Sequence, residues 1–255
     1  TKSLSFDEYI KCRQLGFVIN YFYNDDLFGE VRTVLRNFDI SMWSWILTVL
    51  DSVENSSTDD PVRKLYDAFT HDVRSELLPS EREMREDIHV NLSRYLTGEL
   101  GSNITFKYKA LLMRDHVEDV LAFGFACLRK QLCEKSINIE KYTVFLTELE
   151  RFAIVKKGRP FDLDRDGIHK FSFDFTRTSE MEIVTEGTQP TDESIAISVN
   201  HMEGPGKIIG EFFSTREKTM VNYTALLNRV ASEKFYRSAS CSLRRYYPPL
   251  FISDV

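Results

Sequence analysis

The residues best placed to do chemistry are Asp162-Leu163-Asp164-Arg165-Asp166-Gly167, which match the first half of a calcium loop, D-x-D-x-D-G. Calcium takes about six to eight oxygen ligands, and carboxylates at alternate loop positions supply them while a glycine makes the sharp turn. The second half of the motif is missing. Its twelfth position, where a bidentate glutamate belongs, is Phe173; its eighth is His169; and Pro160 interrupts any entering helix. Asp162, Asp164 and Asp166 are therefore an incomplete calcium candidate, and a solvated turn with Gly167 at positive φ is the plainer expectation. Glu86 and His89 have the E-x-x-H spacing of a di-metal helix. Such a site needs a second pair, and the sequence has no other. His71, His116, His169 and His201 lack ligand spacing and read as surface or capping histidines.

Nucleophile, phosphate and dinucleotide signatures are absent. No G-x-S-x-G, P-loop or G-x-G-x-x-G occurs, and Gly204-Pro205-Gly206-Lys207 reads as a turn. Cys12, Cys127, Cys133 and Cys241 form no C-x-x-C pair, so reduced thiols in a cytoplasmic protein are expected. The late stretch Arg229, Lys234, Arg237, Arg244 and Arg245, interleaved with Phe235, Tyr236, Tyr246 and Tyr247, has the composition of a stacking surface for nucleic acid. An amphipathic helix with its cations at the dipole-negative end explains it as well. The net charge of −6 argues against a nucleic-acid partner. No catalytic residue, cofactor site or complete metal site is expected in this chain.

The elements that would position these residues follow from caps and periodicity. Ser5 and Glu8 are spaced as a capping box. The apolar run Phe17-Val18-Ile19-Asn20-Tyr21-Phe22-Tyr23 reads as a buried strand. Asn24-Asp25 then caps a helix through Leu27, Val31, Val34 and Leu35. A lone strand with two apolar faces calls for parallel neighbours. With Thr at position 1, the expectation is that residues 1–40 are the terminal αβα unit of a truncated barrel. Residues 41–255 then form a helical domain. Ser41, Asp60-Pro61 and Ser80/Glu83 start three of its helices. The longest helix is expected from Thr105 to Cys133, with Val120–Leu128 all-round apolar and hence central. Another carries Tyr142, Phe145, Leu146, Leu149 and Phe152. A small antiparallel meander is expected over 168–213, with strands at His169–Phe175, Met181–Thr185, Ser194–His201 and Lys207–Phe213. A last helix runs over 214–239, capped by Ser214 and Glu217. The fold class is α+β and mainly α-helical.

Composition agrees with a packed chain. The sequence is 42% hydrophobic and 28% charged, which excludes a disordered tail. Nineteen Phe and eleven Tyr favour a filled core or a buried interface. The longest apolar run falls far short of the ~18–20 residues a membrane span needs.

Three stretches together resemble one family. Thr1-Lys2-Ser3-Leu4-Ser5-Phe6-Asp7-Glu8-Tyr9-Ile10-Lys11-Cys12-Arg13 and Val18-Ile19-Asn20-Tyr21-Phe22-Tyr23-Asn24-Asp25-Asp26-Leu27-Phe28 are similar to the region just past the catalytic core of cobalamin-binding radical S-adenosylmethionine proteins. Phe213-Ser214-Thr215-Arg216-Glu217, with Leu227-Asn228-Arg229-Val230 and Phe235-Tyr236-Arg237, fits the same comparison. The resemblance implies an upstream cobalamin domain and a catalytic barrel whose CxxxCxxC motif holds a [4Fe–4S] cluster and cleaves S-adenosylmethionine. CxxxCxxC is absent here, so by resemblance this chain is an accessory portion that caps that barrel or helps to bind substrate. The barrel would be its partner. The competing expectation is a non-enzymatic helical protein-interaction module.

Overall fold

Ser5 starts the first helix as its spacing predicts. Its Oγ accepts from the Glu8 amide at 3.3 Å while the Glu8 carboxylate accepts from the Ser5 amide at 2.8 Å. In the computed structural model, which describes residues 4–78, 80–97, 100–101, 103–180 and 194–241, that helix is α1, Phe6–Val18. It passes directly into a π-helical turn at Ile19–Tyr23. The expected strand at Phe17–Tyr23 is thus a helix. Phe17, Val18, Tyr21 and Phe22 are its buried residues, spaced i, i+1, i+4 and i+5, so one helical face is covered while Tyr23 is exposed. A short apolar run cannot be assigned to strand or helix by periodicity alone, and packing decided it here. Asn24-Asp25 does not cap the next helix either. Asp25 and Asp26 take left-handed conformations at φ 64° and 51°, and α2 begins later, at Gly29–Asn37.

The helices that follow obey their caps. Ser41 caps α3, Met42–Asn55. Asp60 caps α4, Pro61–Ser75, its carboxylate accepting from the Val62 and Arg63 amides at 2.8 and 3.1 Å. Ser80 caps α5, Glu81–Val90, which bends at Asn91 into α6, Leu92–Leu96. The expected long helix is there with a π turn in its middle: α7, Ile104–Leu111, the turn at Leu112–His116, then α8, Val117–Glu134. A short turn at Ile139–Tyr142 leads into α9, Thr143–Lys157. One hydrophobic core runs from Ile10 of α1 to Tyr236, so residues 1–40 and the later helices share it. Helix α8 lies at its centre, against α3, α4 and α9. Gly124 explains its small residue there, because a Cβ would sit 2.2 Å from the Phe28 ring, which stacks on Phe22 and meets Trp45 edge-on.

The sheet is smaller and more widely sourced than the expected meander. Strand β1 is Gly167–Phe171 and β2 is Ile195–Asn200, paired antiparallel with Ile168 opposite Ser198. The third strand, β3, is Ser238–Cys241, pairing on the other edge of β2. Lys207–Phe213 is not a strand but the body of α10, Glu203–Phe213. The Gly204–Lys207 stretch, expected as a turn, forms its first part. Ser214 ends α10 and starts nothing, and the expected 214–239 helix is only α11, Met220–Leu227, capped by Thr219. The expected strand at Met181–Thr185 lies outside the described residues, as do Arg244, Arg245, Tyr246 and Tyr247. Among the described residues, no helix is long and apolar enough to cross a membrane. The architecture is mainly α-helical α+β with a three-stranded antiparallel sheet.

Candidate functional site

The half calcium motif folds as a loop between α9 and β1, and its three carboxylates do separate things. Asp162 caps the short turn at Leu163–Arg165 by accepting from the Asp164 amide at 3.2 Å. Asp164 is exposed. Asp166 is also exposed, at 34% of its side chain, but already engaged. It accepts from the His201 amide at 2.9 Å, lies 2.8 Å from His201 Nδ1, and accepts from Arg237 Nε at 3.3 Å. Gly167 enters β1, and the positive φ expected of it is not found; among the described glycines only Gly101 has one.

Arg237 is the organiser of this loop. It is 2% exposed and donates to the carbonyls of Gly158 at 2.8 Å and Asp162 at 2.7 Å, with longer bonds to Val155 and Arg159. A guanidinium presents a rigid fork of donors, which suits a ring of backbone carbonyls left by a helix end and a loop. The cation this loop holds is thus an arginine of the same chain. Burial on its own disfavours the charged guanidinium, and Asp166 acts against that. His201 is not a lone surface histidine but sits under the loop, its Nε2 3.1 Å from the Pro160 carbonyl. Among the described residues, no group of three or more His, Cys, Asp or Glu converges as a metal site.

The other candidates are dispersed. Glu86 pairs with Arg82 on the exposed α5, and His89 is exposed on the same helix. His116 meets Asp119 at 3.2 Å, and His169 lies in β1 with Nε2 buried and unpartnered. Burial, then Arg151 and Arg237, pulls the His169 ring below its ordinary value. Arg229 and Lys234 are exposed, but Phe235, Tyr236 and Arg237 are buried, so the described part of the basic stretch offers no stacking face. It is not the end of a helix either, because α11 stops at Leu227.

Sequence reasoning missed a buried ion pair. Lys157, the last residue of α9, is fully buried and its Nζ donates to Glu30 of α2 at 2.5 Å and to the carbonyls of Asp26 and Leu27 at 2.7 and 2.9 Å. The left-handed backbone at Asp25-Asp26 precedes the two carbonyls it binds. Burial pushes the Glu30 carboxyl up, but Lys157 and then Lys156 outweigh it and hold it below its ordinary value. Burial pulls the Lys157 ammonium below its ordinary value and Lys156 adds to the fall, while Glu30 opposes it without reversing it. The Tyr236 ring stands 5.6 Å from the ammonium, and its hydroxyl is buried without a partner. The pair joins α2 to the end of α9.

Among the grooves that described residues line, two are wide and open to solvent. One, of about 620 Å³, lies between the end of α4, α7 and α11, with Leu100, Ile104, Phe106, Val221 and Ala225 among its lining. The other, of about 590 Å³, is walled by Phe161, Phe213 and Tyr223, whose rings lie 4.8–4.9 Å apart, and rimmed by Arg114, Arg159 and Lys218. Beside the first groove stands the α5–α6 pair, with Met84, Ile88, Val90, Leu92 and Leu96 all exposed, as are Leu77 and Leu78 before it. No sequence signal marked these as a group, because the same apolar spacing reads as a core-facing stripe. Compared with known proteins, the chain matches no family model, no curated protein and no solved structure.

Proposed function

We propose that this chain acts as a non-enzymatic helical protein-interaction module. The observation that carries the reading is the α5–α6 pair. Neither helix has a buried residue, yet Met84, Ile88, Leu92 and Leu96 recur at helical spacing and Leu96 is 79% exposed. A helix pair that adds nothing to its own core, with its apolar side chains uncovered, suits a partner's surface. The pair also holds its own shape. Asp87 accepts from Asn91 Nδ2 at 2.8 Å and from the Tyr95 hydroxyl at 2.6 Å, which fixes the bend between the two helices. The exposed thiols of Cys12 and Cys133 fit a reducing compartment, and we place the protein in the cytoplasm on that ground.

The expectation of a truncated barrel unit rested on an opening strand in want of parallel neighbours, and that segment is a helix whose apolar face is covered within this chain. The test is a photo-crosslinking amino acid placed at Met84 of the full chain in cells. A discrete adduct is expected, lost in Ile88→Glu/Leu92→Glu at an unchanged melting temperature. Absence of any adduct in the unsubstituted chain would end this reading.

A further inference from the structure

The groove between α7 and α11 is apolar along its floor, and one of its ends carries a carboxylate without an ion pair among the described residues. Glu76 lines it there, as the residue that closes α4. The last turn of a helix leaves carbonyls unsatisfied and carries about half a negative charge, which favours a cation. Other charges on the lining are Asp72, Arg94 and Lys107. Asp72 and Lys107 are spent on each other at 2.7 Å, and the Tyr108 hydroxyl donates to the same carboxylate at 3.0 Å. Arg94 reaches the rim from α6. The Glu76 carboxylate, by contrast, has no hydrogen bond or ion pair with any described residue. Partial burial pushes it above its ordinary range; Arg13 and Lys107 act the other way from a distance, and Asp72 adds to the rise. An exposed, unpaired carboxylate at a helix C-terminus, beside an apolar floor, is complementary to an ammonium or guanidinium attached to an apolar body.

We propose that this groove binds an amphipathic helical peptide of a partner protein, with its apolar face on the floor and a lysine or arginine against Glu76. The size agrees: about 620 Å³ holds roughly three to four apolar side chains, the anchor set of an i, i+3, i+4, i+7 helix. Val221 on the lining is 43% exposed, and Leu77 and Leu78, which follow Glu76 in the chain, are 43% and 38% exposed. An anionic helix would meet Glu76 and the carbonyl end of α4 with like charge, so the sign of the partner is set at that end.

This proposal rests on the interaction-module reading and names the chemistry of the partner. The probe is the labelled peptide acetyl-LKKLLKLLKKLLKL-amide, titrated into the full chain and followed by fluorescence anisotropy. Its counterpart with every lysine replaced by glutamate is the control. Glu76→Lys and Val221→Glu are expected to weaken binding of the basic peptide by about tenfold or more, and Glu76→Gln by less; the acidic peptide should bind at least about tenfold more weakly than the basic one. Both substituted residues are surface groups, and unchanged melting temperatures would confirm that the variants fold. Equal binding of the two peptides, or wild-type affinity in both Glu76→Lys and Val221→Glu, would overturn the proposal. Loss of binding in Ile88→Glu with Glu76→Lys unaffected would overturn the groove as the site while leaving the module reading standing.

Discussion

Helices α8 and α5 look alike in sequence, each with apolar residues at helical spacing, and they meet opposite fates. Helix α8 buries nine residues, from Val117 to Leu132, and even its Gln131 is enclosed, accepting from the Thr48 hydroxyl. Helix α5 buries none. What separates them is charge density. Between Val120 and Leu128, α8 has no charged side chain, so any neighbour can cover it. In α5, Glu81, Arg82, Glu83, Arg85, Glu86 and Asp87 leave only Met84 and Ile88 as a narrow stripe, and Arg82–Glu86 and Arg85–Glu81 pairs satisfy its polar face in water. A two-residue stripe offers too little area to order a helix against the core, so α5 is held through its cap and the Asp87 bonds. Helical period thus predicts a helix, while the width of its apolar face predicts whether its own chain covers it.

The sharpest way to break this contrast lies where α9, beside α8, is locked to α2. Glu30→Ala strands the buried Lys157 ammonium and should cost about 3–5 kcal/mol, measured by urea unfolding. The same pair sets an acid limit. Glu30 has a folded value below its unfolded one, so its contribution is complete above about pH 4.5 and is lost as pH falls through the lowered value. Stability should therefore drop on acidification in the native chain, and less steeply in Glu30→Gln/Lys157→Met.

Next in size is the centre of α8. Leu128 has no exposed surface, and Leu128→Ala should cost about 2–5 kcal/mol through the cavity it leaves. The smallest effect is expected at the other pole of the comparison. Ile88→Ala should change stability by no more than about 0.5 kcal/mol, since that side chain covers nothing in its own core. Hydrogen exchange sharpens the same point without substitution: amides of Leu121–Leu128 should be strongly protected and those of Met84–Val90 weakly so. Equal protection in the two helices would mean that α5 is covered after all.

How much of this molecule was legible beforehand depends on the range of the interaction concerned. The caps at Ser5, Ser41, Asp60 and Ser80 were readable because donor and acceptor lie within three residues of each other. Helices α3, α4, α8 and α9, and strands β1 and β2, followed from patterns of similar reach. Two segments were misread for one reason. Phe17–Phe22 and Ile208–Phe213 both place apolar residues at i, i+1, i+4 and i+5 in a short run, which a strand or a helix can bury equally well. Contacts elsewhere in the fold settled both as helices.

The candidate site divides along the same line. The Asp162–Gly167 stretch was legible as a loop, but the groups that fill it, His201 and Arg237, come from 35 and 71 residues beyond Asp166. Lys157 and Glu30 are 127 residues apart, and nothing near either one in sequence announces the other. By itself the sequence determined where helices begin, which stretches are apolar, and that no complete metal or nucleophile motif is present. Only the tertiary structure decided which apolar faces are covered, that an arginine fills the acidic loop, and that Glu76 stands unpaired over an apolar groove. Backbone hydrogen bonds and caps close locally, whereas burial and charge pairing depend on which distant elements pack together.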